Sequence, residues 1–197
     1  MVYFFLRLAF LFMFKVLYRV RVKGAENVPR EGMLILASNH ASFLDSMVIF
    51  HTSPRRFHAV AAKWLFDIWW IAWALRATSC VPTNGSSKGA ISVLNNNEAI
   101  FIFPEGRCEP DGKILPYVHK GVAVFALKTG APVVPIYVKG TFNAWPIGQF
   151  FPKFFRALEV CYGRPVYFEK VEPDVIPQDA LESVTAKIMS EVKALSQ

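Results

Sequence analysis

Short apolar runs alternate with helix-period segments along most of this 197-residue chain, and that rhythm restricts the fold more than any other feature. VRVKG (20–24), MLILAS (33–38), RFHAVAA (56–62), ATSCVP (77–82), AIFIF (99–103), PVVPIYV (132–138) and ALEVCYG (157–163) read as strands. Helices are expected from about Phe43 to Phe50 and over 63–75, 87–97 and 117–130, the last stopped by Gly130. Beyond Pro177, Leu181, Val184, Ile188, Val192 and Leu195 recur at spacings of three and four, which predicts an amphipathic terminal helix. Strand–helix alternation of this kind builds a single α/β domain, its sheet mostly parallel or mixed and flanked by helices. The expected organisation is an interfacial helix over 1–19, the main domain over 20–168, and a terminal helix packed on it within 169–197.

The amino-terminal segment MVYFFLRLAFLFMFKVLYRV is too interrupted for a membrane span, which needs about 20 predominantly apolar residues. No small-residue cleavage site follows it, which argues against a signal peptide. On a helix Arg7, Lys15 and Arg19 fall within a sector of roughly 120°, leaving Phe4, Phe5, Leu8 and Phe12 elsewhere. That pattern suits a monotopic helix lying in a membrane interface; it also suits a helix capping the protein's own core. A net charge of +7, with 18 Phe and 5 Trp, favours an anionic lipid surface over nucleic acid, and three cysteines, an odd count, suit a reduced protein on the cytoplasmic side. Four tryptophans lie within Lys63–Leu75, either packed on the sheet or turned to lipid, and Lys63 and Asp67 have the i,i+4 spacing of an ion pair. Cys80, Cys108 and Cys161 have no metal-ligand spacing, nor do the four histidines, so no metal is expected.

Open parallel sheets collect their sites in the loops beyond the carboxyl ends of strands. After MLILAS comes Asn39-His40, then Ser42-Phe43-Leu44-Asp45, a hydroxyl and an acid three apart in capping-box form. An acid in that position points back toward the helix start, so Asp45 can reach His40, which lies outside the helix. Asp45 would accept from one imidazole nitrogen and leave the other free to take a proton near neutral pH. The same spacing also describes a plain capping box with a bystander histidine. After AIFIF comes PEGR: Pro104 ends the strand, Gly106 permits close approach, and Glu105 and Arg107 project from the loop. An arginine fork suits a phosphate, although an ordinary strand-end turn would carry the same charges.

Taken together, NHASFLD (39–45), FIFPEGRCEPDGKILPYVHKG (101–121) and APVVPIYVKG (131–140) resemble, in order and separation, three blocks of the glycerolipid (lysophospholipid) acyltransferase family, a likeness running from about Val20 to Val166. The resemblance implies that His40 is the base activating a glycerol hydroxyl and that Asp45 orients it. It further implies that Glu105, Gly106 and Arg107 hold the acceptor's phosphate, with Asn39 and Ser42 beside them. The implied acceptor is a lysophospholipid, foremost 1-acylglycerol-3-phosphate, with lysophosphatidylethanolamine as the alternative. The donor would be a thioester on coenzyme A or acyl carrier protein, and no cofactor is implied. The chain departs from the pattern in two places. Arg107 follows the glycine directly, and Thr83 and Asn84 stand where an arginine is usual, so Lys63, Arg76 or Lys88 would supplement Arg107. His40→Ala or Asp45→Ala is expected to remove transfer and leave the fold intact.

Two rivals come from other classes. GSSKG (85–89) satisfies G-x-S-x-G between a strand and a helix, the context of a serine hydrolase. His119, the only histidine after Ser87, is expected inside a helix, which weighs against an esterase. A non-catalytic lipid-binding module would explain the charge and aromatics but neither polar loop.

Overall fold

Both faces of a seven-stranded sheet are covered by helices in the computed structural model, which describes residues 2–83, 86–108, 118–172 and 175–197. In chain order the elements are α1 (Val2–Leu17), β1 (Arg19–Lys23), β2 (Leu34–Ser38), α2 (Leu44–Thr52), β3 (His58–Ala62), α3 (Trp69–Ala77) and β4 (Val81–Thr83). They continue with α4 (Lys88–Asn95), β5 (Ala99–Ile102), α5 (Gly121–Thr129), β6 (Val133–Lys139), α6 (Thr141–Ala144), β7 (Ala157–Tyr162) and α7 (Gln178–Ala194). The strand order is β1-β7-β6-β2-β5-β3-β4. All neighbours are parallel except β6 and β7, so the sheet is mixed.

Alternation along the strands sorts the core into two layers. Leu34, Leu36, Phe101, Val134, Ile136 and Val138 face α1 and α2, where Phe14, Leu44, Val48 and Ile49 meet them. Ile35, Ala37, Ile100 and Val133 face the other way, toward Leu94 of α4, Val122 and Phe125 of α5, and Ile188 of α7. Burial on both faces is why these strands read as unbroken apolar runs rather than alternating ones.

Four local expectations change. The aromatic segment 63–75 is not one helix: Lys63–Asp67 is a 3-10 turn, Ile68 is extended, and α3 starts at Trp69. Ala62 ends β3 and caps this turn directly, and β4 pairs back onto β3, so the connection has to double back rather than run straight. A 3-10 turn places residues i and i+4 on different sides, and no ion pair joins Lys63 to Asp67. The helix expected from 117 begins at Gly121, and ahead of it the His119 N–H ties the chain to the Pro104 carbonyl at 2.8 Å. Residue 117 itself lies outside the described residues, as do Asn84, Gly85 and 109–116.

The basic sector of the first helix also dissolves. Arg7 turns inward to donate to the Ser53 carbonyl at 2.9 Å, and Arg19 opens β1. Phe14 is only 1% exposed, while Phe4, Phe5, Leu8, Phe12 and Val16 stay exposed. One side of α1 therefore belongs to the core, and its outer side is apolar. No helix among the described residues is long and apolar enough to cross a membrane.

Candidate active site

β2 and β5 lie side by side with Ala37 opposite Ile102, so the chain leaving each strand emerges at the same end of the sheet. Asn39 fixes the exit from β2. Its amide donates to the Val138 carbonyl at 3.1 Å and accepts the Val138 N–H at 2.8 Å, extending the β2–β6 ladder with a side chain. His40 follows, its imidazole stacked on Phe103 with centroids 3.7 Å apart and planes within 9°. That ring contact crosses from the His–Asp loop to the PEGR loop.

His40 Nδ1 stands 3.1 Å from Asp45 Oδ2. The same oxygen accepts the N–H groups of Ala41 at 2.7 Å and Ser42 at 2.8 Å, while Ser42 Oγ accepts the Leu44 N–H at 3.2 Å. This is the expected reciprocal cap, closing just ahead of α2. An ionised Asp45 can only accept, so the imidazole proton sits on Nδ1 and Nε2 is left as the acceptor. The Asp45 side chain is 0% exposed and that of His40 is 16%, leaving a narrow opening at the imidazole. Asp45 also acts on β6: burial first, then its negative charge, raises the Tyr137 hydroxyl above its ordinary 10.0.

Glu105 is buried, and its Oε1 accepts the His40 backbone N–H at 3.4 Å. The PEGR turn is tight: the Gly106 N–H donates to the Phe103 carbonyl at 3.0 Å, and Gly106 has φ +68°. A Cβ built there would lie 2.2 Å from Cδ2 of His119, so the turn presses glycine against that imidazole. Arg107 leaves the turn on the exposed side.

The structure thus brings His40, Asp45 and Glu105 together, with Gly106 and Arg107 on the same loop. Asn39 and Ser42 are corrected from substrate contacts to framework. Asn39 is spent on the Val138 backbone, and the buried Ser42 hydroxyl donates to the Trp145 carbonyl at 2.6 Å. Lys63 follows β3 at the same sheet end but opens onto its own cleft of about 490 Å³, shared with Phe66, Asp67, Arg76, Cys80 and Pro82. Of the three cations considered as supplements to Arg107, Lys63 and Arg76 share that cleft and Lys88 is not in its lining. Ser87 caps α4 with ordinary helical angles, φ −83° and ψ −8°, where a nucleophile elbow would be strained. His119, placed before α5 rather than inside it, packs against the PEGR turn.

Phe103, Tyr137, Trp145 and His119 went unmarked in the sequence as neighbours of the site. Phe103 alone had a signal, since it is the last residue of a buried run aimed at the loop.

The family described as Acyltransferase has a model that matches residues 19–139. A chloroplastic 1-acyl-sn-glycerol-3-phosphate acyltransferase of Brassica napus is 29% identical over 79% of this chain and 47% of its own length. Its counterpart in Arabidopsis thaliana is 30% identical over 67% of this chain and 39% of its own length. The chain therefore spans about half, or less, of these curated relatives. The crystal structure of the 1-acyl-sn-glycerophosphate acyltransferase PlsC from Thermotoga maritima superposes with a TM-score of 0.74 at 26% identity, covering 99% of this chain and 78% of that one.

Proposed function

Because this chain belongs to the acyltransferase family, we propose that it moves a fatty acyl group from a thioester to the hydroxyl of a lysophospholipid, foremost 1-acylglycerol-3-phosphate. The donor is acyl-coenzyme A or acyl carrier protein. His40 Nε2 takes the hydroxyl proton as the alcohol oxygen attacks the thioester carbonyl. The tetrahedral adduct then expels the thiolate, and the imidazolium returns the proton to sulfur. An ester bond forms, a thioester bond breaks, and His40 ends as it began.

Asp45 stabilises the imidazolium, as a buried carboxylate does in a serine-protease triad. Phe103 holds the ring plane, and Glu105 steadies the backbone that carries it. Arg107 binds the acceptor's phosphate through its guanidinium fork. The apolar outer side of α1 rests on the cytoplasmic face of a bilayer, where it would meet a lipid acceptor.

One observation carries this reading: a buried carboxylate 3.1 Å from Nδ1 leaves Nε2 as the base, beside a loop that carries an exposed arginine. The test uses purified protein, both thioester donors and a panel of lysophospholipids. His40→Ala is expected to lower turnover about 10²–10⁴-fold with an unchanged circular dichroism spectrum. Turnover close to wild type in that variant would sink the proposal, and the panel distinguishes lysophosphatidate from lysophosphatidylethanolamine.

A further inference from the structure

The segment between α6 and β7 holds a second group of uncovered aromatics. Phe150, Phe151 and Phe155 are 86%, 75% and 73% exposed, and Phe154 beside them is exposed as well. They sit on a loop closed by hydrogen bonds. The Lys153 N–H closes its base on the Ala144 carbonyl at 2.6 Å, and Trp145 Nε1 donates to the Gln149 carbonyl at 2.9 Å. Phe155 has φ +59°, a conformation uncommon for a bulky residue. Apolar side chains left in water call for an occupant.

The surrounding charge says which occupant fits. Lys153 and Arg156 line a hollow of about 410 Å³ with Gly140, Asn143 and Ala157. Residues 139–157 contain Lys139, Lys153 and Arg156 and no Asp or Glu; residues 1–25 contain five Lys or Arg and likewise no acid. The two segments touch: the Phe155 N–H donates to the Leu17 carbonyl at 2.7 Å, and the rings of Tyr18 and Phe154 lie 6.2 Å apart. Phenylalanines beside cations, with no acid in either segment, suit an anionic lipid surface.

The root of the loop lies at the reacting centre. The Trp145 carbonyl accepts the Ser42 hydroxyl, in the turn that seats Asp45, and the Trp145 ring meets Phe43 edge-on at 6.1 Å.

We propose that residues 145–156 form a second membrane-docking element, independent of α1. Its phenylalanines enter the interface of an anionic bilayer, Lys153 and Arg156 take lipid phosphates, and Trp145 ties the depth of docking to the position of the His40 turn. The proposed acyltransferase activity enters only in the choice of a bilayer as the occupant.

The test is co-sedimentation of the full chain with phosphatidylcholine vesicles, with and without phosphatidylglycerol. Phe150→Ser/Phe151→Ser is expected to lower partitioning about tenfold or more on both vesicle types. Lys153→Gln/Arg156→Gln is expected to remove most of the gain that phosphatidylglycerol gives, an effect that salt reproduces in the wild type. Neither pair is buried, so the melting transition should stay in place. Wild-type partitioning by both variants overturns the proposal. So does loss of binding confined to Phe4→Ser/Phe12→Ser, which would assign docking to α1 alone. Unchanged partitioning with lost self-association in sedimentation velocity would make the loop a contact between copies, which also overturns it. Acyl transfer to a short-chain lysophosphatidate in free solution separates this outcome from the activity itself: Phe150→Ser/Phe151→Ser keeps it and His40→Ala loses it.

Discussion

Asp45 Oδ2 gathers two backbone N–H donors and an imidazole, while Oδ1 has no hydrogen-bond partner among the described residues and the side chain has no exposed surface. A buried carboxylate so held caps the helix in addition to the catalytic part proposed for it. The expectation that Asp45→Ala would leave the fold intact therefore has to change. Removing the carboxylate orphans the Ala41 and Ser42 N–H groups, each worth about 1–3 kcal/mol. The informative substitution is Asp45→Asn, which can keep both N–H bonds but loses the charge. It is expected to lower kcat about 10²–10⁴-fold with a smaller loss in urea midpoint than Asp45→Ala. Equal losses of stability would contradict the capping role. At this scale the sequence revealed the pair, because a capping box has a spacing. Phe103 ends a buried run aimed at the loop, but its stacking on the imidazole, like the bond from Ser42 to Trp145, joins loops far apart in the chain and leaves no local pattern.

Helix α1 lies on α2 through Phe10 against Phe50, and Phe14 stacks on His51 at 5.8 Å. Burial first, and then the Arg7 guanidinium, hold the His51 imidazole below its ordinary 6.5. The unfolded chain takes up a proton near 6.5 and the folded chain does so only at lower pH. Stability from this site is thus complete above that value and falls as pH drops through the interval beneath it. The thermal midpoint should decline from pH 7 to pH 5, with a shallower decline in His51→Phe. An identical slope in the variant would place the effect elsewhere. Element types were legible because doubly buried strands make continuous apolar runs. Boundaries were less so: α5 starts late, behind the tie from His119 to Pro104, and the tryptophan segment breaks at Ile68 because β3 and β4 force it to turn back.

Across the molecule, the first helix cannot be treated as a detachable anchor. Phe14 is buried in the same cluster as Leu36, Ile136 and Val160, so Phe14→Ala is expected to cost about 3–5 kcal/mol in urea unfolding. A loss below about 1 kcal/mol would mean that α1 only rests on the domain. The α/β class followed from alternation alone, but the side of α1 that meets the core did not, because aromatics occupy both sides and Arg7 bonds inward. The edge strand that follows α1 has one neighbour, β7, and their Lys23–Glu159 pair joins positions 136 residues apart. During synthesis, β1 thus waits for a strand 136 residues further on before it acquires a register. The inner side of the segment just ahead of it finds α2 early, but its oily outer side stays uncovered through that interval, a surface on which a nascent chain of this design can aggregate until lipid takes it.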